Sequence, residues 1–238
     1  MQTFIVGLSL GQAHDTTALC VLERSKVPTG EVEQDVAKTI ARNLYTDTIR
    51  PYYRPTTEHH HAVRYLERLA AGTPYPEQVA KTRELVGRLE KQRAQVALVA
   101  DQTGVGRPVT DLLRAAKLSP YTAVVTASDT PTREGDEYRV PKRDLVSSAQ
   151  VLLQSKRLTI AAGLPLAQVL TSELLAFKAT ITLQRENTSA PPEPWRERTH
   201  DDLVLAVALA AWFGEQHKLV QTTGFDIGTE TKTNVWDV

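Results

Sequence analysis

The chain has 238 residues, and its 28 lysines and arginines balance its 28 aspartates and glutamates. This length allows one large domain or two small ones, with enough material for a real core. A single cysteine, Cys20, excludes a disulfide scaffold and a cysteine-rich zinc module, and it suits a reducing compartment. The longest apolar stretch, 203–213, is about half as long as a membrane span, and the N-terminus lacks the pattern of a secretory signal. We therefore expect a cytoplasmic protein with no membrane partner.

The first segments predict the antiparallel opening of a sheet. Residues 3–10 and 16–23 are apolar runs around a short turn, which is typical of a β-hairpin. Residues 62–69 alternate between apolar and polar side chains and predict a third strand, whereas 36–50 fits either a strand or a short helix. Polar segments that contain proline or glycine predict loops at 26–35 and 51–61.

The hydrophobic period then changes, and strands alternate with helices. Apolar residues recur at helical spacing over 76–93, after a proline at the helix start. Residues 96–100 form a continuous apolar run, which suits a strand buried on both faces. The remaining predicted elements are helix 107–117, strand 121–126, helix 141–155, strand 157–160, helix 164–176, an edge strand 177–183 and helix 200–216, with polar loops at 127–139 and 186–199. This order predicts an α/β fold, a mixed sheet with helices on both faces.

Acidic residues at three places could carry chemistry. Asp15 lies in the first hairpin turn, Asp101 follows the most buried strand, and Asp201 and Asp202 open a strongly apolar helix. Ligands collect at the carboxyl ends of central strands in open α/β sheets, so Asp101 is well placed for a site. Carboxylates that meet there would need cations, and Mg²⁺ or Mn²⁺ favours such ligands. Taken singly, each acid could instead close a turn or complement a helix N-terminus.

Three further patterns are less specific. The TGVG segment, 103–106, precedes a helix and could cradle a phosphate on its backbone N–H groups, although it is neither a Walker A loop nor GxGxxG. The run His59 to His61 lacks the spacing of metal ligands on a helix and is interpreted as a surface loop. Cys20 sits in a strand pattern and is expected in the core.

Five blocks of sequence occur in order between residues 3 and 214: GLSLGQAHDTTALCVLER, LERLAAGTPYPEQV, VADQTGVGRPVTDLLR, VPKRDLVSSAQVLLQSKRLTIAAGLP and HDDLVLAVALAAWF. Together they resemble the C-terminal nuclease domain of phage terminase large subunits, in the form found in terminase-like prophage proteins. The resemblance implies a ribonuclease H-like fold over 1–217, in which 26–60 is an insertion or extended loop. Residues 218–238 would then form a C-terminal tail.

The resemblance also implies a metal-dependent endonuclease that cuts double-stranded DNA during genome packaging in a bacterial host cell. Two Mg²⁺ or Mn²⁺ ions would be held by Asp101 and by Asp202, Asp201 or both. The first-strand acid of the family pattern GxDxG is replaced here by Ser9, a neutral ligand. Asp15 lies six residues further on and is an auxiliary candidate. Because no Walker A loop is present, the resemblance implies that the packaging ATPase is a separate partner. A small terminase and a portal are the other candidate partners.

Basic residues beside these acids are candidates for contacts to DNA phosphates, although any one of them is better explained singly as part of a solvated helix face. The candidates are Arg107, Arg114, Lys142 and Arg143. Residues 50–185 carry 20 basic against 13 acidic side chains, whereas both ends of the chain are acidic. The zero net charge is therefore the sum of a basic central segment, 50–185, and two acidic ends. It does not count against a nucleic-acid substrate.

Two alternatives stay open beside an active nuclease. Ser9 favours a catalytically degenerate domain that keeps the fold and the DNA contact without turnover. An ATP-binding protein of the actin and sugar-kinase type shares a similar first hairpin, but its two lobes need considerably more chain than 238 residues.

Overall fold

The computed structural model describes residues 2–11, 15–44, 49–104, 107–186 and 201–217. Within these residues, one mixed sheet is flanked by helices on both faces. No helix among them is both long and apolar enough to cross a membrane.

Strands and helices follow one another along the chain with these bounds. The strands are β1 (Thr3–Ser9), β2 (Thr17–Gln34), β3 (Tyr53–Leu69), β4 (Gln95–Asp101), β5 (Pro120–Thr126), β6 (Thr132–Glu134), β7 (Glu137–Pro141) and β8 (Leu158–Ile160). The helices are α1 (Val36–Asn43), α2 (Tyr75–Lys91), α3 (Arg107–Ala115), α4 (Lys142–Gln154), α5 (Ala167–Glu186) and α6 (Asp202–Gln216).

The sheet has the order β6-β7-β5-β4-β1-β2-β3-β8. Strands β1, β2 and β3 pair antiparallel, whereas β4 pairs parallel with β1, and β5 pairs parallel with β4. Strand β7 continues the parallel half, and β6 folds back on it antiparallel. This confirms the predicted fold class, an α/β fold whose mixed sheet opens with antiparallel strands and continues with strand–helix alternation.

Alternate residues of β1 separate two hydrophobic layers. Phe4, Val6 and Leu8 pack with apolar residues of α2 and α3, whereas Ile5 packs with residues of α4, α5 and α6. A period of two along a strand explains this division, because successive side chains point to opposite faces. Helix α6 is buried from Leu203 to Gly214, as expected for a helix that is apolar all round.

The predicted loops at 26–35 and 51–61 are wrong, because both segments belong to strands. Strand β2 continues to Gln34 and pairs with β3 from Tyr53 onward, so that the two form one long arm. A break in the pairing between Pro28 and Val32 accommodates the proline and glycine that suggested a loop. The arm carries α1 at its tip. Of the two structures predicted for 36–50, a strand or a short helix, the structure therefore shows the helix, over Val36–Asn43.

Two further segments differ from their predictions. The edge strand predicted at 177–183 is wrong, because helix α5 continues through it to Glu186. A short alternating pattern does not stop a helix that is already nucleated by the preceding turns. The polar segment 127–139 holds β6 and most of β7 rather than loop alone. The predicted tail, 218–238, and all but the first residue of the predicted loop 186–199 lie outside the described residues.

Candidate functional site

Ser9 and Asp101 end two neighbouring parallel strands side by side. They are register partners in the β1–β4 pair, so both lie at the carboxyl edge of the sheet. Ser9 follows Ile5 with strand period, and Asp101 follows Val99; both Ile5 and Val99 face the layer that contains α6. The two side chains therefore lie on the α6 face, and both are buried, Asp101 completely.

The carboxylate of Asp101 also fixes the loop that follows it. Its Oδ1 accepts a hydrogen bond from the backbone N–H of Thr103 at 2.8 Å. The hydroxyl oxygen of Thr103 in turn accepts one from the backbone N–H of Val125 at 2.8 Å, on the next strand. The turn-closing role considered for Asp101 is thus observed, together with its placement at the sheet edge. Part of the TGVG segment lies outside the described residues.

Helix α6 directs its N-terminus to the same edge. At its start, Asp202 Oδ2 accepts a hydrogen bond from the hydroxyl of Thr16 at 2.7 Å. At its end, the Arg24 guanidinium donates to the carbonyl oxygens of Gly214 and His217 at 2.9 and 2.6 Å. Because Thr16 precedes β2 and Arg24 lies further along it, α6 runs parallel to β2 and antiparallel to β1. The acids that open α6 therefore lie at the edge where β1 and β4 end.

Asp202 is held by an arginine. Arg68, on β3, donates from Nε to Asp202 Oδ2 and from Nη2 to Asp202 Oδ1, each at 2.9 Å. Arg68 also pairs with Glu173 on α5. Burial raises the pKa of Glu173, Arg68 opposes that shift, and the charges of Asp202 and Asp201 add to it. Sequence reasoning missed both Arg68 and Glu173, because nothing in their local pattern distinguishes them.

Two further aspartates, Asp201 and Asp15, are predicted metal ligands. Asp201 is the N-cap residue of α6, but its side chain makes no capping hydrogen bond to the helix. Asp15 lies in the hairpin turn beside Thr16 and is exposed. Among the described residues, no three histidine, cysteine, aspartate or glutamate side chains stand in position to hold a metal ion.

The donor chemistry nevertheless fits a divalent ion in part. Asp101, Asp201 and Asp202 supply the hard oxygen ligands that Mg²⁺ and Mn²⁺ prefer. Ser9 stands between Asp101 and the α6 acids, because β1 lies between β4 and β2 in the sheet. The middle ligand of the set is therefore neutral, and Asp202 already pairs with the guanidinium cation of Arg68.

Three of the four predicted phosphate contacts lie at this edge. Helix α3 begins at Arg107, six residues after Asp101, and α4 begins at Lys142 directly after the parallel strand β7. Arg143 is exposed and pairs with Asp129 at 2.8 Å. Exposed ion pairs of this kind contribute little to the stability of the fold.

Arg114 lies apart from them. It is seven residues beyond Arg107 on α3, which is about two turns and roughly 10 Å further from the edge. It is exposed and pairs with Asp111 at 3.3 Å.

The histidine run is not the surface loop that its sequence suggests. His61 is buried in β3, and its Nε2 lies 2.9 Å from Glu215 Oε1. Arg157 donates to the other oxygen of Glu215 at 2.7 Å. Because Glu215 lies near the end of α6, this network is at the opposite end of the helix from Asp202.

The expected place of Cys20 in the core is confirmed. The thiol is fully buried and lies 3.2 Å from the carbonyl oxygen of Ala206, to which it donates. Burial raises the pKa of this thiol to about 12, so it is not a reactive nucleophile at neutral pH.

Comparison with solved structures finds proteins of similar fold. The large terminase nuclease from thermophilic phage G20c is 18% identical, with 88% of this chain and 81% of that chain covered and a TM-score of 0.47. The human cytomegalovirus terminase nuclease domain, soaked with Mn, is 10% identical, with 89% and 84% covered and a TM-score of 0.42. Thermus thermophilus RuvC, in complex with a Holliday junction substrate, is 9% identical, with 90% and 96% covered and a TM-score of 0.31.

No family model and no curated protein matches the chain. In class the chain is an α/β domain with a mixed sheet flanked by helices. The solved structures of similar fold include terminase nuclease domains, the family that its sequence blocks resemble. At such low identity the likeness concerns the fold, and the activity has to be inferred from the residues of the chain itself.

Proposed function

We propose that this chain is a divalent-metal-dependent endonuclease domain of the terminase large-subunit type, which cuts double-stranded DNA. One observation carries the proposal: the buried Asp101 and the acids that open α6 come to one edge of the sheet, from elements about a hundred residues apart. A carboxylate buried as deeply as Asp101 is costly unless a cation or hydrogen-bond donors compensate it.

Asp101 and Asp202 would hold the metal, with Asp201 or Asp15 as auxiliary ligands. Two ions, Mg²⁺ or Mn²⁺, would supply activation of water and stabilisation of the leaving oxygen of a phosphodiester. The chain itself would position the DNA. Arg107, at the same edge, would contact the phosphates beside the scissile bond.

Lys142 and Arg143 would contact the phosphate backbone from the start of α4. Phosphate contacts carry no base information, so we expect little sequence preference and a strong dependence of binding on salt. In the proposed setting, genome packaging in a bacterial host cell, a packaging ATPase, small terminase or portal would present the DNA.

A second candidate function is a degenerate nuclease that binds DNA without cutting it. Two observations favour it. Ser9 places a neutral hydroxyl at the central position of the ligand set, and Arg68 already neutralises Asp202. Both reduce the anionic charge available to a pair of divalent ions.

A plasmid-nicking assay with Mn²⁺ separates the two candidates. The comparison includes the parent chain, Asp101→Asn, Ser9→Asp and the double variant Ser9→Asp/Asp101→Asn. Ser9→Asn is the control, because asparagine has the size of aspartate without its charge. Cleavage by the parent that Asp101→Asn abolishes supports an active nuclease. Cleavage by Ser9→Asp, with no cleavage by the parent, supports the degenerate candidate. If no variant nicks the plasmid, including Ser9→Asp, the nuclease proposal is wrong.

A further inference from the structure

A bidentate ionic contact at the candidate site joins Arg68 to the α6 acid Asp202. The guanidinium engages both carboxylate oxygens of Asp202, at 2.9 Å each, in the fork geometry of a bidentate pair. Such charge-assisted pairs are among the stronger hydrogen-bonded contacts in proteins. Arg68 comes from β3 and Asp202 from α6, so the pair links the third strand to a helix of the layer that α4, α5 and α6 form.

The oxygen Oδ2 of Asp202 has no acceptor capacity left. A carboxylate oxygen offers about two lone-pair positions. Oδ2 accepts from Arg68 Nε at 2.9 Å and from the Thr16 hydroxyl at 2.7 Å. A metal ion could ligate this oxygen only if one of those two donors left it.

A second carboxylate faces the same guanidinium. The Glu173 side chain is 9% exposed, Asp202 is 10% exposed and Arg68 is 19% exposed. One oxygen of Glu173 pairs with Arg68, while the other, Oε2, is buried and has no hydrogen-bond partner among the described residues. One cation therefore serves two largely buried carboxylates, and a buried acceptor is left for which a further cation would be favourable.

We propose that Arg68 is a built-in competitor of the metal at Asp202: its guanidinium occupies a lone-pair position on each carboxylate oxygen, and a divalent ion that takes either position has to displace it. The inference rests on the proposed function, because it takes Asp202 to be a metal ligand. Arg68 would act on the metal through Asp202, because its guanidinium lowers the affinity of this carboxylate for the ion. The displaced guanidinium would then be available to another anion at the site, such as a DNA phosphate.

Mn²⁺ binding to the whole chain tests the proposal, measured by calorimetry and by the metal-dependent shift of the melting temperature. We expect Arg68→Gln to bind Mn²⁺ roughly tenfold more tightly than the parent, a factor typical of coupled sites. Adding Asp202→Asn should remove the gain. Arg64→Gln is the matched control, because Arg64 lies on the same strand in an exposed pair with Glu23 at 2.8 Å.

Loss of Arg68 leaves two carboxylates without their cation and could prevent folding. The double variant Arg68→Gln/Glu173→Gln removes one carboxylate with the guanidinium and keeps the net charge of the cluster unchanged. It should also bind Mn²⁺ more tightly than the parent.

Equal Mn²⁺ affinity in the parent, the Arg68 variants and Arg64→Gln would overturn the proposal. This outcome is distinguishable from failure of the proposed function. A chain that never nicks DNA but gains Mn²⁺ affinity without Arg68 supports the competition. A chain that nicks DNA with a metal affinity indifferent to Arg68 refutes it.

Discussion

Gly7 lies directly against Ala206, where helix α6 crosses the first strand. A Cβ on Gly7 would overlap the carbonyl oxygen of Ala206 and would lie 2.9 Å from the Sγ of Cys20. The absence of a side chain lets α6 approach the sheet closely enough for Cys20 to bond the same carbonyl. This contact sets the height of α6 above β1, and so places Asp202 relative to Ser9.

Gly7→Ala should destabilise the fold strongly, because the new methyl group meets backbone that cannot move independently of α6. We expect a loss of about 3 kcal/mol in the free energy of unfolding, measured by urea denaturation. Gly87→Ala is the control, since Gly87 lies in α2 with open space around its Cα and alanine favours a helix. That change should add about 0.5–1 kcal/mol. Similar effects of the two substitutions would contradict the close approach of α6.

Ser9→Asp should make stability depend on metal. The new carboxylate would be buried beside that of Asp101, and two adjacent buried charges of one sign repel. In the presence of a chelator we expect the melting temperature to fall by about 5 °C. Because a ligand that binds only the folded state stabilises it, Mn²⁺ should restore most of the loss. Ser9→Asn should show neither effect, and an equal response of both variants to Mn²⁺ would disprove the prediction.

Arg24 holds the end of α6 as Thr16 and Arg68 hold its beginning. Its largely buried guanidinium donates to the carbonyl oxygens of Gly214 and His217, which have no partners within the helix. Arg24→Met should therefore cost about 2–4 kcal/mol of unfolding free energy. Arg54→Met should change it by less than about 0.5 kcal/mol, since the pair of Arg54 with Glu33 is exposed. Denaturation curves that coincide for the two variants would refute the role of Arg24.

The sequence predicts the sheet and the acids of the site for one reason: both are marked locally. Asp101 directly follows an apolar run, and Asp202 opens one, so the positions follow from strand and helix patterns. Arg68 carries no such mark. It lies 134 residues from Asp202 and 105 from Glu173, and only the packing of α5 and α6 on β3 brings these residues together.

The long arm was missed because its stability is also non-local. Proline and glycine make 26–35 poor strand sequence, yet the segment pairs with β3 on both sides of the break between Pro28 and Val32. Strand propensity depends strongly on the neighbouring strand, which the local sequence does not reveal. Buried His61 was missed for the same reason, since its partner Glu215 lies 154 residues away.

His217 makes stability depend on pH because its ring is largely buried, next to Tyr138. Its Nε2 lies 2.6 Å from the Tyr138 hydroxyl, and its Nδ1 lies 3.2 Å from the carbonyl oxygen of Phe213. A neutral ring with the proton on Nδ1 satisfies both contacts, with the tyrosine as donor. Burial above all lowers the pKa of His217 to about 4, against an ordinary value of 6.5, and Arg133 and Arg24 oppose its charge further.

Between pH 6.5 and 4 the unfolded chain binds a proton at His217 that the folded chain does not. Stability contributed by the neutral ring is therefore complete above pH 6.5 and is lost as the pH falls toward 4. After allowance for partial solvent exposure, we expect this residue to account for about 1–2 kcal/mol of the decline. His217→Phe should flatten the pH dependence of urea denaturation by that amount, whereas Tyr138→Phe should flatten it only in part, because burial persists without the hydroxyl. A decline from about pH 7 to 4 as steep in His217→Phe as in the parent would show that His217 is not its source.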